Sequence, residues 1–270
     1  MDSYETIVIK EVDHVVTIIL NRPEVHNAFN PNMIEELTTA FKYLGNDQNI
    51  RAIILTGAGK SFSAGADLNY MKSSKDFSYE ENHDDAFRLE QLFHTIYTTP
   101  KPIIGKINGA AFGGGVGLIC VCDIVIALKK AKMAFSEVNL GIIPAVISPY
   151  VIPKIGYSNT SRFFLTGERF DASKGYEIGL IHEIASDDEE LDQKVSEIIN
   201  HLLISSPQAM SQIKRLIDKN RKTSFNEIRD YCVKEIAEIR TSSEGKEGLN
   251  AFLTKSSPKW KLSPWKGDEK

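Results

Sequence analysis

A single carboxylate set among apolar residues is the first feature of this chain that could move a proton. It is Glu137, in Ala134-Phe135-Ser136-Glu137-Val138-Asn139-Leu140-Gly141-Ile142-Ile143-Pro144. An apolar setting desolvates a carboxyl group, favours its neutral form and lifts its pKa toward the range that proton transfer at neutral pH requires. The plain alternative is a glutamate that caps a helix or holds an ion pair. Two further stretches offer backbone donors rather than side chains. Gly57-Ala58-Gly59-Lys60-Ser61-Phe62-Ser63-Ala64-Gly65-Ala66-Asp67-Leu68 runs from a strand through small residues into a helix start. Asn108-Gly109-Ala110-Ala111-Phe112-Gly113-Gly114-Gly115-Val116-Gly117-Leu118 does the same, with three consecutive glycines at the junction. Small residues let a ligand approach the backbone, and free N–H groups at a helix start can hold an oxyanion.

The glycine run is not a dinucleotide fingerprint. That motif needs an acidic residue at the end of a second strand about 20 residues on, within one βαβ unit, and here it is missing. Nor is it a phosphate-binding P-loop, since no Gly-Lys-Ser/Thr follows the glycines.

The elements that must hold these stretches follow from patterning. Thr6–Ile9 and Val15–Leu20 are β-branched runs around a turn-like Glu11–His14, which predicts a hairpin. Asn30-Pro31 opens a helix with Met33, Leu37 and Phe41 on one face. Arg51–Thr56, Ile103–Ile107 and Asp123–Ala127 read as strands, so strands alternate with helices to about residue 185. Ser73–His83 is polar, lacks periodicity and reads as a surface loop. Beyond about Glu190 only helices are predicted, at 189–204, 207–219, 223–239 and 243–254. The expected organisation is α/β, with a core over 1–190 and a helical region over 191–270.

Composition excludes several classes. The 270 residues are 42% hydrophobic and 25% charged, values of an ordinary globular chain. A net charge of −4 argues against a basic surface for nucleic acid or anionic lipid. Cys120, Cys122 and Cys232 make neither a disulfide framework nor a zinc site. Cys120 and Cys122 lie in an apolar run that predicts core packing. That run, Val116 to Leu128, is interrupted by Asp123 and is too short to span a bilayer. The first five residues have no secretory pattern, and a cytoplasmic protein is expected. His26, His83, His94 and His182 show no paired metal spacing. Asp67 is expected to cap the helix after its turn, and Asp123 to cap backbone N–H groups or pair internally.

Taken in order, the motifs resemble those of the enoyl-CoA hydratase (crotonase) superfamily over nearly the whole chain. They are Asn21-Arg22-Pro23 with Asn27-Ala28, Phe62–Leu68, Asn108–Gly115, Cys122-Asp123-Ile124, the Glu137 segment, Leu165–Phe170 and Glu247–Phe252. The resemblance implies a spiral of ββα repeats followed by a helical tail. It implies an acyl-coenzyme A thioester as substrate and no separate metal or redox cofactor. The backbone N–H groups of Ala66 and Gly114 match the oxyanion hole, and Glu137 matches the acid–base residue. Asn27, Ala28, Ala64, Ala66, Asp67 and Leu68 match positions that grip coenzyme A. Lys255 and Lys259 are candidates for its phosphates. Assembly as a homotrimer, or as a dimer of trimers, is implied as well.

One departure stands out. Hydratases of this family carry two glutamates, one just after the triple glycine and one twenty residues later. Here Gly117 occupies the first position and Glu137 the second. Two carboxylates hold and activate water, whereas one suffices to shift a proton between carbons. The segment Ile143–Val151, with Ser136-Glu137-Val138 and Phe112–Ile119, is similar to a bacterial branch described as methylglutaconyl-CoA hydratase-like. The leading expectation is therefore a hydratase, with a branched thioester such as 3-methylglutaconyl-CoA among the candidate substrates. Double-bond isomerisation or decarboxylation is the alternative. A non-catalytic CoA-ester or RNA-binding protein is the alternative of another class. Tyr150 or Ser148 could help to hold water, and Lys72, Arg88 or Arg162 could meet a distal carboxylate on the acyl chain.

Overall fold

The computed structural model describes residues 4–267. β1 (Ile7–Val12) and β2 (Val15–Leu20) form the expected antiparallel hairpin, closed by Asp13 and His14 at φ 48° and 70°. Positive φ at both turn residues matches the twist of paired strands. The helix α1 (Pro31–Asn46) starts where the sequence predicts, with the Asn30 side chain accepting from the Met33 N–H.

After α1 the chain repeats one unit. β3 (Ala52–Gly57) joins a large sheet, β4 (Ser61–Ser63) joins a small one, and α2 (Leu68–Ser74) and α3 (Tyr79–Thr98) complete the turn. The next turn is β5 (Ile103–Ile107), β6 (Ala110–Phe112) and α4 (Gly114–Val121). The third is β7 (Ile124–Leu128), β8 (Lys132–Ala134) and α5 (Ser148–Thr166). β9 (Phe170–Asp171), α6 (Ala172–Glu177) and β10 (Glu183–Ala185) close the spiral. The large sheet has the order β1-β2-β3-β5-β7-β10 and the small one β4-β6-β8-β9. This is the α/β spiral with a helical tail that the sequence implied.

Alternation along each strand divides the core. Ile53, Leu55, Ile103, Ile107, Val125 and Ala127 face the cluster that includes α1, α3, α4 and α5. Ile54, Ile104, Ile126 and Leu128 face the other side. There α7 (Asp188–Leu203) lays down Leu191, Val195, Ile199 and Leu203. The helical region expected from residue 191 thus begins inside α7, whose apolar face belongs to the core. α8 (Pro207–Lys222), α9 (Phe225–Thr241) and α10 (Ser243–Thr254) follow, matching the four predicted helices.

The loop expected at Ser73–His83 is a correction. Only a short link separates α2 from α3, and α3 opens at Tyr79 with a capping box between Ser78 and Glu81. Its buried residues, Leu92, Phe93 and Ile96, all lie in its second half. The first half packs no buried apolar side chain, so it carries no periodic signal. Cys120 and Cys122 are buried, as expected. Asp123 accepts from the Ile103 N–H at 2.8 Å and from Lys214 Nζ at 2.5 Å, which joins both roles foreseen for it. Among the described residues, no helix is long and apolar enough to cross a membrane.

Candidate active site

The small sheet positions the chemistry. β4, β6 and β8 are parallel neighbours, so the chain leaves all three at the same edge. Ala66 follows the end of β4, Gly114 the end of β6, and Glu137 the end of β8. Ligand sites in parallel sheets form at the carboxyl ends of strands for this reason. A Cβ placed on Gly65 would stand 3.4 Å from the Gly114 nitrogen, so the first two turns abut. One placed on Gly113 would stand 3.1 Å from Glu137 Oε1, so the carboxylate lies beside the second turn. Gly65 and Gly113 adopt φ of 82° and 50°, conformations that favour glycine.

Gly114 is the first residue of α4, where N–H groups have no partner within the helix. Of the neighbouring amides, Gly113 donates to Ala134 O and Asp67 to Phe29 O. Among the described residues, no group accepts from the N–H of Ala66 or Gly114. Both residues line a cavity of about 450 Å³, together with Ala64, Leu68 and Glu137. Its walls are apolar, built by Phe29, Ile34, Met71, Leu89, Ile143 and Ile147 among others. Such a volume and lining suit an acyl chain.

Glu137 opens a short 3-10 turn, Glu137–Leu140. Its Oε2 is buried and has no hydrogen-bond partner. Burial raises the pKa of this carboxyl group, and a bond to its own backbone opposes the rise only in part. The ion-paired or capping alternative does not describe this residue: no salt bridge engages it among the described residues, and no helix is capped by its side chain.

Other candidates sit behind the surface of the cavity. Asn27 is fully buried: its Nδ2 donates to Ala58 O and Ser61 O, and its Oδ1 accepts from the Arg22 N–H. Its side chain holds the turn, leaving no free amide for a ligand. Ala28 is buried, and its carbonyl accepts from Arg22 Nη1. Asp67 caps α2 through the N–H groups of Asn69 and Tyr70, and pairs with Arg22 at 2.8 Å. Burial alone would raise its pKa, but the Tyr70 N–H, Arg22 and the Asn69 N–H outweigh it and hold the carboxyl below its usual value. Lys255 ends α10 and Lys259 follows it, and neither lines the cavity.

Tyr150 and Ser148 are corrections. The Tyr150 hydroxyl donates to Glu90 at 3.4 Å and the Ser148 hydroxyl to Ala145 O at 2.8 Å, and neither residue lines the cavity. Arg162 pairs with Glu168 at 2.6 Å. Two polar lining residues were missed by sequence reasoning. Tyr70 on α2 donates to Asp85 Oδ1 on α3 at 2.5 Å, and both face the cavity. The capping box at Ser78 and Glu81 was the available signal that α3 reaches this far.

Comparison with known proteins places this geometry. The profile of the Enoyl-CoA hydratase/isomerase family matches residues 10–263. An enoyl-CoA hydratase from Shewanella pealeana ATCC 700345, solved by crystallography, is 41% identical with a TM-score of 0.91, over 95% of this chain and 96% of that one. Enoyl-CoA hydratase ACTT6 of Alternaria alternata is 34% identical, over 88% of this chain and 78% of its own length. The peroxisomal Delta(3,5)-Delta(2,4)-dienoyl-CoA isomerase of Arabidopsis thaliana is 32% identical, over 96% and 98%. With a family profile matching residues 10–263 and relatives above 30% identity over most of the chain, the chain belongs to the enoyl-CoA hydratase/isomerase family.

Proposed function

We propose that the protein adds water to an α,β-unsaturated acyl-CoA thioester, or removes it in reverse, with Glu137 as the one acid–base carboxylate. The observation that carries this reading is Glu137 itself: a partnerless buried oxygen beside two free N–H groups in an apolar cavity. The N–H groups of Ala66 and Gly114 hold the thioester oxygen, where negative charge develops. Each such donor is worth about 3 to 4 kcal/mol in acyl-transfer enzymes.

One carboxylate can complete the addition. Glu137 takes a proton from water as the water oxygen bonds to Cβ. The π electrons move through Cα into the thioester carbonyl, giving an enolate in the oxyanion hole. Glu137 then returns the proton to Cα, so one water is added and the enzyme is unchanged. A raised pKa suits this traffic, because the acid and base forms lie closer in energy near neutral pH. In the hydration direction the carboxylate form starts the cycle. Activity should therefore fall as pH drops through a value above the ordinary carboxylate range.

Isomerisation on the same site is the second reading, favoured by the glycine at position 117 and by the likeness to the dienoyl-CoA isomerase. It needs only Glu137 and the oxyanion hole. Mass spectrometry after incubation in ¹⁸O-labelled water separates the two. A panel of enoyl-CoA thioesters that includes 3-methylglutaconyl-CoA should gain one labelled water on at least one member. Rearranged thioesters of unchanged mass would replace hydration by isomerisation, and loss of carbon dioxide by decarboxylation.

Assembly belongs to the same proposal. α10 exposes Leu249, Phe252 and Leu253, and α9 exposes Val233 and Ile236. Apolar area of this kind marks contact surfaces, which supports the trimer or dimer of trimers that the family resemblance implies. Lys255 and Lys259 at the end of α10 remain candidates for the coenzyme A phosphates, and Lys255→Ala with Lys259→Ala should raise KM rather than lower kcat.

A further inference from the structure

Resting on the hydration reading, the geometry points to Asp85, held by Tyr70, as the group that fixes the reacting water, in place of a second glutamate after the glycines. The usual place for that group is closed. A Cβ on Gly117 would lie 2.4 Å from Ile147 Cγ2 and 3.0 Å from the Phe93 ring. Any side chain there would meet packed apolar atoms. A second polar contact for water must therefore come from another wall of the cavity.

Among the described residues lining it, the polar side chains are Ser136, Glu137, Tyr70 and Asp85. Ser136 is the chain neighbour of Glu137 and precedes the same turn. Tyr70 and Asp85 come from α2 and α3, elements distinct from the end of β8 that carries Glu137.

The hydrogen bonds leave Asp85 prepared to accept. Tyr70 donates to Oδ1 at 2.5 Å, and Arg88 Nη2 stands 3.7 Å from the same oxygen. Among the described residues, no protein group bonds Oδ2. Burial first, and the bond to Asp85 second, push the Tyr70 hydroxyl up to about 12, so it stays protonated and keeps donating. The Asp85 side chain is 28% exposed, so Oδ2 is open to water that enters the cavity and can accept from it. Water between the two carboxylates can give one hydrogen to each. The hydrogen given to Glu137 passes on to Cα. The other stays on oxygen and becomes the new hydroxyl, still donated to Asp85 Oδ2. Atoms and charge balance as before, because Asp85 orients and takes no proton.

The test separates water holding from proton transfer. Exchange of the Cα hydrogen of a saturated acyl-CoA in D₂O needs only Glu137 and the oxyanion hole. Hydration needs Asp85 as well. Asp85→Ala should lower kcat/KM for hydration about 10- to 100-fold, the span of a lost hydrogen bond to a charged group, while α-exchange stays within twofold. Tyr70→Phe, which leaves the carboxylate in place, should give a smaller loss of hydration and again spare exchange. Hydration by Asp85→Ala within threefold of the parent enzyme would overturn the proposal. So would parallel loss of both reactions in both variants, which would make the pair a brace between α2 and α3. Failure of the hydration reading itself shows separately, as parent enzyme that exchanges Cα hydrogen yet incorporates no ¹⁸O.

Discussion

Two glycines one turn apart on α4 both make room for packed side chains, yet only one of them lines the cavity. Gly114 lines the cavity and offers its N–H, while Gly117 is buried beneath Phe93 and Ile147. Both were conspicuous in sequence for the same reason, a missing side chain beside the glycine run. At Gly114 the missing side chain makes room for the Phe29 ring, and the N–H has no acceptor among the described residues. At Gly117 it leaves room for two apolar residues to meet. A glycine beside a cavity can therefore make room for packed neighbours whether or not its own N–H meets the cavity.

The largest effect is expected from removing the carboxylate that lies beside Gly113 and lines the same cavity as Gly114. Glu137→Gln keeps the shape and removes the proton carrier. Turnover should fall by about 10²–10⁴-fold, the worth of positioned acid–base catalysis. Steady-state assay on whichever thioester reacts measures it, and full activity would move the chemistry away from Glu137.

Next in size is Gly114→Val. Even a Cβ here would lie 2.9 Å from the Phe29 ring, which is itself buried. Two methyls more must displace either that ring or the bound thioester. Loss of one oxyanion donor alone lowers kcat by about 10²–10³-fold. A folded variant, verified by circular dichroism, with unchanged kcat would deny Gly114 its role.

Gly117 predicts a different outcome, in stability rather than in rate. Gly117→Ala overpacks the contact with Ile147 and Phe93. Overpacking costs about 1–3 kcal/mol, and Tm should fall by about 3–10 °C for a chain of this size. Gly117→Glu should unfold more readily still and gain no hydration. If it folded as the parent does and hydrated faster, the position would be an open carboxylate site and the contrast with Gly114 would fail.

Much of this was legible beforehand, for identifiable reasons. Asn30, the hairpin and the strand at 103–107 are local features whose residues specify their own geometry. The ordered motifs placed Ala66, Gly114 and Glu137 together because strand neighbours in the small sheet inherit sequence order. What stayed hidden depended on partners far along the chain. Ile147 filling the space above Gly117 is a contact between α4 and the start of α5. Asp85 meeting Tyr70 requires that α3 begin at Tyr79, and its exposed first half carries no apolar stripe. Asn27 belongs to a motif that the family resemblance links to coenzyme A, yet its side-chain amide is consumed by Ala58 and Ser61.

The smallest effect sharpens the picture of Glu137. Burial raises its pKa in the folded protein. Such a carboxylate costs stability wherever it must be charged, that is, above its folded pKa. The cost fades as pH falls and disappears below the unfolded value of about 4.3, where both states are protonated. Glu137→Gln carries no charge at any pH. It should therefore melt higher than the parent enzyme at pH 8. The gap should close as pH approaches 4. Thermal melts of both proteins across that range decide the matter. A gap that stays constant with pH would assign the gain to packing. A variant that melts lower at pH 8 would mean the charged carboxylate is held by favourable contacts, and the partnerless Oε2 on which the proposed acid–base role rests would be contradicted.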